Sequence, residues 1–186
     1  DEVFITVKGK GGHAAMPHDI NDTVLIASHI IVALQQIVSR HANASIPSVL
    51  SFGKVIANGA VNIIPDEVKI EGTFRTMDEE WRASAKEKIR AISTSIAEGM
   101  GASVDIEIKH GYPFLVNDTD ITNQASQFAK DYFDDEKVID MDIRMTAEDF
   151  AYFSQEYPSC FYRVGTGNKN KGIISPLHSA TFNVNE

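Results

Sequence analysis

Residues 48–76 read "SVLSFGKVIANGAVNIIPDEVKIEGTFRT", and this stretch decides the fold. "SVLSFGKVI" has the β-branched and aromatic content of a strand. Asn58-Gly59 marks a turn. Beyond it, Val68, Ile70, Gly72 and Phe74 alternate with Lys69, Glu71, Thr73 and Arg75. That period of two predicts a second strand, with one apolar face and one wet face. Two strands therefore follow each other directly, with no helix between them.

Outward from this pair, each flank adds one helix and one strand. On the N-terminal side, Val3, Ile5 and Val7 alternate with Phe4, Thr6 and Lys8, which predicts a strand. Ile26, Ile30, Ala33 and Ile37 then recur at helical spacing from about Asn21 to Arg40, with Asp19, Asn21 or Asp22 as the cap. On the C-terminal side, Thr76 and Glu79 have capping-box spacing. Trp81, Ala85, Ile89, Ile92 and Ile96 mark one face of the helix behind them, and Gly99 and Gly101 end it. Val104, Ile106 and Ile108 alternate with charged residues in a last strand. The order is β-α-β-β-α-β, the split βαβ pattern. The expected fold class is α+β: a four-stranded antiparallel sheet with two helices on one face, closing near residue 110.

Residues 111–186 read differently. Helices are expected from about Ile121 to Phe133 and from Ala147 to Gln155. Short strands are expected around Val138 and Ile139 and in "SCFYRVGTG", with Cys160 as a small core residue. These pieces make no sheet of their own and suit the C-terminal piece of an α/β domain. The chain begins inside a strand without an initiator methionine, and it stops where Asn185 or Glu186 could open a helix. The expectation is a piece of a longer protein, divided into 1–110 and 111–186.

Composition narrows the function. The net charge is −9 and the pI about 5.1, without the basic stripe of a nucleic-acid binder. No apolar run approaches the roughly 20 residues of a membrane span, so no membrane partner is expected. A single cysteine, Cys160, allows no internal disulfide and fits a reducing, cytoplasmic setting. HExxH, Cys-x-x-Cys and G-x-S-x-G are absent. Gly165-Thr-Gly167 reads as a turn. Glu148 and Asp149 are neighbours that point roughly 100° apart on a helix, so they suit a helix start better than a shared proton.

Four residues are candidates for chemistry. His13 lies in "KGKGGHAAMPHD", behind two glycines and before two alanines. It is either a solvated loop histidine or an imidazole that reaches out of its loop. Arg75 ends the wet face of its strand and is either a surface charge or a fork for a carboxylate. Asn62 either caps a turn or binds a ligand. His178 in "SPLHSATF" is a lone loop histidine by pattern.

Taken together, "GKGGHAAMPH", "NGAVNIIPDEVKIEGTFRT", "MTAEDFAYF" and "PLHSATF", in this order, resemble one family. It is the two-metal zinc amidohydrolases and peptidases with a lid (dimerisation) domain, which includes aminoacylases, hippurate hydrolases, auxin-conjugate hydrolases and carboxypeptidases. The resemblance implies that residues 1–110 are the lid and 111–186 the C-terminal segment of the catalytic domain, with the N-terminal catalytic part absent. It implies cleavage of the amide bond of N-acyl amino acids or small peptides, with two divalent ions (Zn, or Mn, Co or Ni) in the full-length enzyme and none held by this fragment alone. It implies a homodimer through the lid, in which His13 donates to the oxyanion in trans. It makes Asn62 and Arg75 substrate-binding residues and His178 a metal ligand. The competing reading is a non-catalytic dimerisation or small-molecule-binding module of the same fold.

Overall fold

The computed structural model describes residues 1–184; Asn185 and Glu186, where the sequence could open a helix, lie outside the described residues. β1 spans Glu2–Lys8, α1 Thr23–Leu34, β2 Ser48–Ile56, β3 Glu67–Thr76, α2 Glu79–Gly99 and β4 Ser103–Lys109. The strands form one antiparallel sheet in the order β2-β3-β1-β4. β1 lies between the two strands with which it is not consecutive, the arrangement that a split βαβ unit requires.

Strand alternation and helix periodicity meet in one core. Val3, Ile5 and Val7 of β1 and Val68, Ile70 and Phe74 of β3 are buried with Ile26, Ile30 and Leu34 of α1 and Ala85 and Ile89 of α2. Burial of each such aliphatic side chain contributes about 1.5–3 kcal/mol. Gly72 sits on this face for lack of a side chain: a Cβ there would run into the Ser51 carbonyl and the Phe52 ring. Its strand partner is Phe52, at the point where β2 carries an irregularity around Gly53.

Several local expectations change. The long N-terminal helix is α1 followed by a π-helical turn, Ile37–His41. Its cap is Asp22, whose carboxylate accepts from the Val24 and Leu25 N–H groups at 3.1 and 2.9 Å. By length and composition Thr23–His41 is apolar enough to cross a membrane, contrary to the sequence expectation. One face of it packs in the core through Ile26, Ile30, Leu34 and Ile37. At α2 the capping box from Thr76 does not form. Asp78 is the cap and accepts from the Trp81 N–H at 2.7 Å. Thr76 shares a hydroxyl hydrogen bond with Ser48 across the sheet at 2.9 Å, so its side chain is used there.

Beyond β4, α3 spans Thr119–Tyr132 and α4 spans Phe150–Glu156. The strands expected at Val138–Ile139 and in "SCFYRVGTG" are irregular, and Cys160 is half-buried outside any strand. A strand needs a ladder partner for its N–H and C=O groups. Among the described residues these segments find none; the pairing here is an isolated bridge, Asn168 with Ile173.

Candidate functional site

His13 and Asn62 fall at one end of the sheet and Arg75 at the other. At one end, the loop after β1 lies along the chain that enters β3. Gly12 and His13 pair antiparallel with Ile64 and Ile63. The Ala14 N–H donates to the Asn62 carbonyl at 3.0 Å, and the Gly9 N–H to the Asp66 carbonyl at 2.9 Å. The Asp66 carboxylate accepts from the Gly11 N–H at 2.8 Å, and buried Thr23 donates its hydroxyl to the Pro65 carbonyl at 2.6 Å. Only glycine allows this approach at position 11, where a Cβ would meet the backbone of Ile64, Pro65 and Asp66. Asp66 is a residue that the pattern reading missed; its signal was a carboxylate directly after the proline of the turn.

The result holds the His13 and Asn62 backbones side by side while both side chains stay exposed. His13 Nδ1 accepts from the Ala15 N–H at 3.1 Å. A neutral imidazole that accepts at Nδ1 carries its proton on Nε2. The ring is therefore set to donate from the nitrogen that lies farther from its own backbone.

Arg75 stands elsewhere. From Glu67 to Arg75, β3 runs about 27 Å at the usual rise per residue. Asn62 and Arg75 are thus not brought together within one chain. Arg75 is half-buried, and its Nη1 donates to the Met145 carbonyl at 2.8 Å. It lines a broad groove of about 1800 Å³ between the sheet end and the segment after β4, together with Met145, Thr146, Glu148 and Arg163. Arg163 Nη2 donates to Thr146 Oγ1 at 3.1 Å, so two guanidinium groups grip adjacent residues of "MTAEDF".

His178 is exposed and has a φ of 65°, in the left-handed region. That conformation costs a non-glycine residue about 1–3 kcal/mol. Among the described residues no group of three or more His, Cys, Asp or Glu side chains could hold a metal ion. Zinc takes about three protein ligands, and among the described residues no such set forms around His178.

Comparison with known proteins is consistent along the chain. The family model of the peptidase dimerisation domain matches residues 2–100. Thermostable carboxypeptidase 2 of Saccharolobus solfataricus is 34% identical over 187 aligned residues, which cover 100% of this chain and 47% of that protein. A crystal structure from methicillin resistant Staphylococcus aureus, 32% identical, superposes with a TM-score of 0.79 over 98% of this chain and 47% of that one. The Bacillus subtilis YXEP protein, a dinuclear metal binding peptidase from the M20 family, is 28% identical with a TM-score of 0.62, over 84% of this chain and 38% of its own. The chain spans about half the length of the curated relatives it matches. With the split βαβ sheet and these matches, the chain belongs to the M20 peptidase family through its dimerisation domain.

Proposed function

We propose that this chain is the lid, residues 1–110, and the C-terminal catalytic segment, 111–186, of a metal-dependent amidohydrolase that cleaves N-acyl amino acids or small peptides. The observation that carries the reading is the separation of His13 and Asn62 from Arg75 along β3. Cleavage of an amide puts negative charge on the carbonyl oxygen. The Nε2–H of His13 is suited to donate to that oxygen, a contribution of about 3 kcal/mol to the transition state. Asn62 beside it offers an amide donor to the same substrate. Arg75, fixed at Nη1 by Met145, has further donors for the substrate carboxylate.

These two groups cannot reach one small substrate from a single chain across about 27 Å. A twofold dimer removes the difficulty, because each site then draws His13 and Asn62 from the partner lid and Arg75 from its own. α1 supports such pairing: Val24, Leu25 and Val32 on its outward face are 38, 49 and 73% exposed. The edge strand β2 leaves its outer ladder open as well. His178 is one ligand of the proposed two-metal centre. Its other ligands would have to come from outside this chain.

The test uses hybrid dimers of the full-length parent. His13→Ala and Arg75→Ala homodimers should each turn over N-acyl amino acids poorly. After subunit exchange, one site of each hybrid combines the intact Arg75 of one chain with the intact His13 of the other. That site should recover nearly wild-type turnover. No recovery despite proven exchange would mean that the two residues do not meet across the dimer, and the non-catalytic dimerisation module would then lead.

A further inference from the structure

β1 and β4 are antiparallel neighbours, with Glu2 opposite Lys109. Residue 1 and residues 110–111 therefore lie side by side, at the sheet end that carries Arg75. Between them sits the Arg82 side chain of α2, 6% exposed, against the Asp1 carboxylate, which is fully buried. All three guanidinium nitrogens donate. Nε donates to Asp1 Oδ2 at 3.0 Å, and Nη2 donates to Asp1 Oδ1 and to the Gly111 carbonyl, the latter at 2.9 Å. Nη1 donates to both carboxylate oxygens of Glu79 at 3.1 Å. All three nitrogens of the fixed guanidinium fork are thus matched.

Asp1 passes this fixation on. Its carboxylate accepts from the Gly111 N–H at 2.9 Å and lies 3.2 Å from Lys86 Nζ. Its carbonyl accepts from the Phe74 N–H at 2.9 Å and from the Thr73 hydroxyl at 3.3 Å. Phe74 directly precedes Arg75. One guanidinium therefore ties the root of α2, the start of β1, the end of β3 and the chain leaving β4. Stability alone does not call for this, since apolar side chains of similar volume often replace a buried ion pair without loss. What a fork matched at all three nitrogens provides is one geometry.

We propose that Arg82 is a positioning residue for Arg75: it locks the sheet end to the root of the C-terminal segment, so that Arg75 and the Met145 carbonyl face one groove. The purpose of the lock rests on the carboxylate role proposed for Arg75. Gly111 is the pivot, because it is held at both its N–H and its carbonyl while Met145 hangs from the chain beyond it.

The lock is tested on the full 186-residue chain by native-state hydrogen exchange, with Arg82→Met and Arg82→Lys. The amides of Gly111 and Phe74 should exchange about tenfold faster in Arg82→Met, as a local opening does. Arg82→Lys keeps the charge but not the fork and should fall between. The mid-sheet amides of Ile5 and Ile70 should stay at wild-type rates, and Arg75 should react faster with phenylglyoxal as it loses Met145. Unchanged exchange at Gly111 and Phe74 would overturn the proposal. So would equal acceleration of all amides, which is the mark of a purely stabilising side chain. If Arg82→Met does not fold, Arg82→Lys reads the same four amides. The hybrid dimers test Arg75's part in the substrate site and the exchange pattern tests the lock, so the two readings fail separately.

Discussion

His110 titrates among cations. Lys86 Nζ lies 3.1 Å from its Nδ1, and burial, Arg82 and Lys86 together push its pKa below the ordinary histidine value. The Asp1 carboxylate, 3.9 Å away, is already matched by Arg82 and Lys86 and offers little compensation. The unfolded chain then binds this proton at a higher pH than the folded one does. Stability from this group is fully present above the unfolded pKa of about 6.5 and falls as the pH drops below it. Urea unfolding at steps from about pH 7 to pH 5 should show this loss, and His110→Gln should flatten it. An unchanged slope in the variant would place the acid sensitivity elsewhere. No sequence pattern marks His110, because Arg82 and Lys86 come near it only where α2 packs against β4. Arg82 itself was invisible for the same reason. On a helical wheel it is a charge beside Trp81, and only the fold puts the Asp1 carboxylate against it.

At the scale of elements, α2 shows how two acceptable caps are decided. Thr76 and Asp78 both stand before the helix, and Glu79 completes a capping box with the first. The structure uses Asp78, since the Thr76 hydroxyl is taken by Ser48 in the sheet. Asp78→Ala should therefore lower the unfolding free energy by about 1 kcal/mol through the lost cap. Thr76→Ala should cost less through the cap and only what the Ser48 bond contributes. Denaturant midpoints of the two variants check the order, and a larger loss for Thr76→Ala would restore the capping box. The strands of the sheet were legible because one face of each packs on the core and the other is wetter. The segments around Val138 and Ser159–Val164 were not, because a β-rich composition states a preference and a ladder needs a neighbour.

For the whole molecule, the dimer is the consequence to test. α1 is apolar on two faces: Ile26, Ile30 and Leu34 look into the core, and Leu25 and Val32 look out. Val32 is 73% exposed, so Val32→Glu should leave the monomer fold intact. In a dimer sealed by α1 it would bury an unpaired carboxylate, at a cost of several kcal/mol. Sedimentation velocity should give a dimer for the wild type and a shift toward monomer for the variant. A variant that stays dimeric would remove α1 from the interface. The sequence by itself determined the order of elements from β1 to β4, the apolar face of each of these strands and the resemblance that named His13, Asn62, Arg75 and His178. Periodicity and glycine placement are local, and local rules suffice for them. Only the tertiary structure decided that His13 and Asn62 share one end of the sheet, that Arg75 stands against Met145 at the far end of β3, and that Arg82 ties Asp1 to Gly111. Those facts depend on which strands become neighbours and on the length of β3, so they exist only once the sheet has closed around β1.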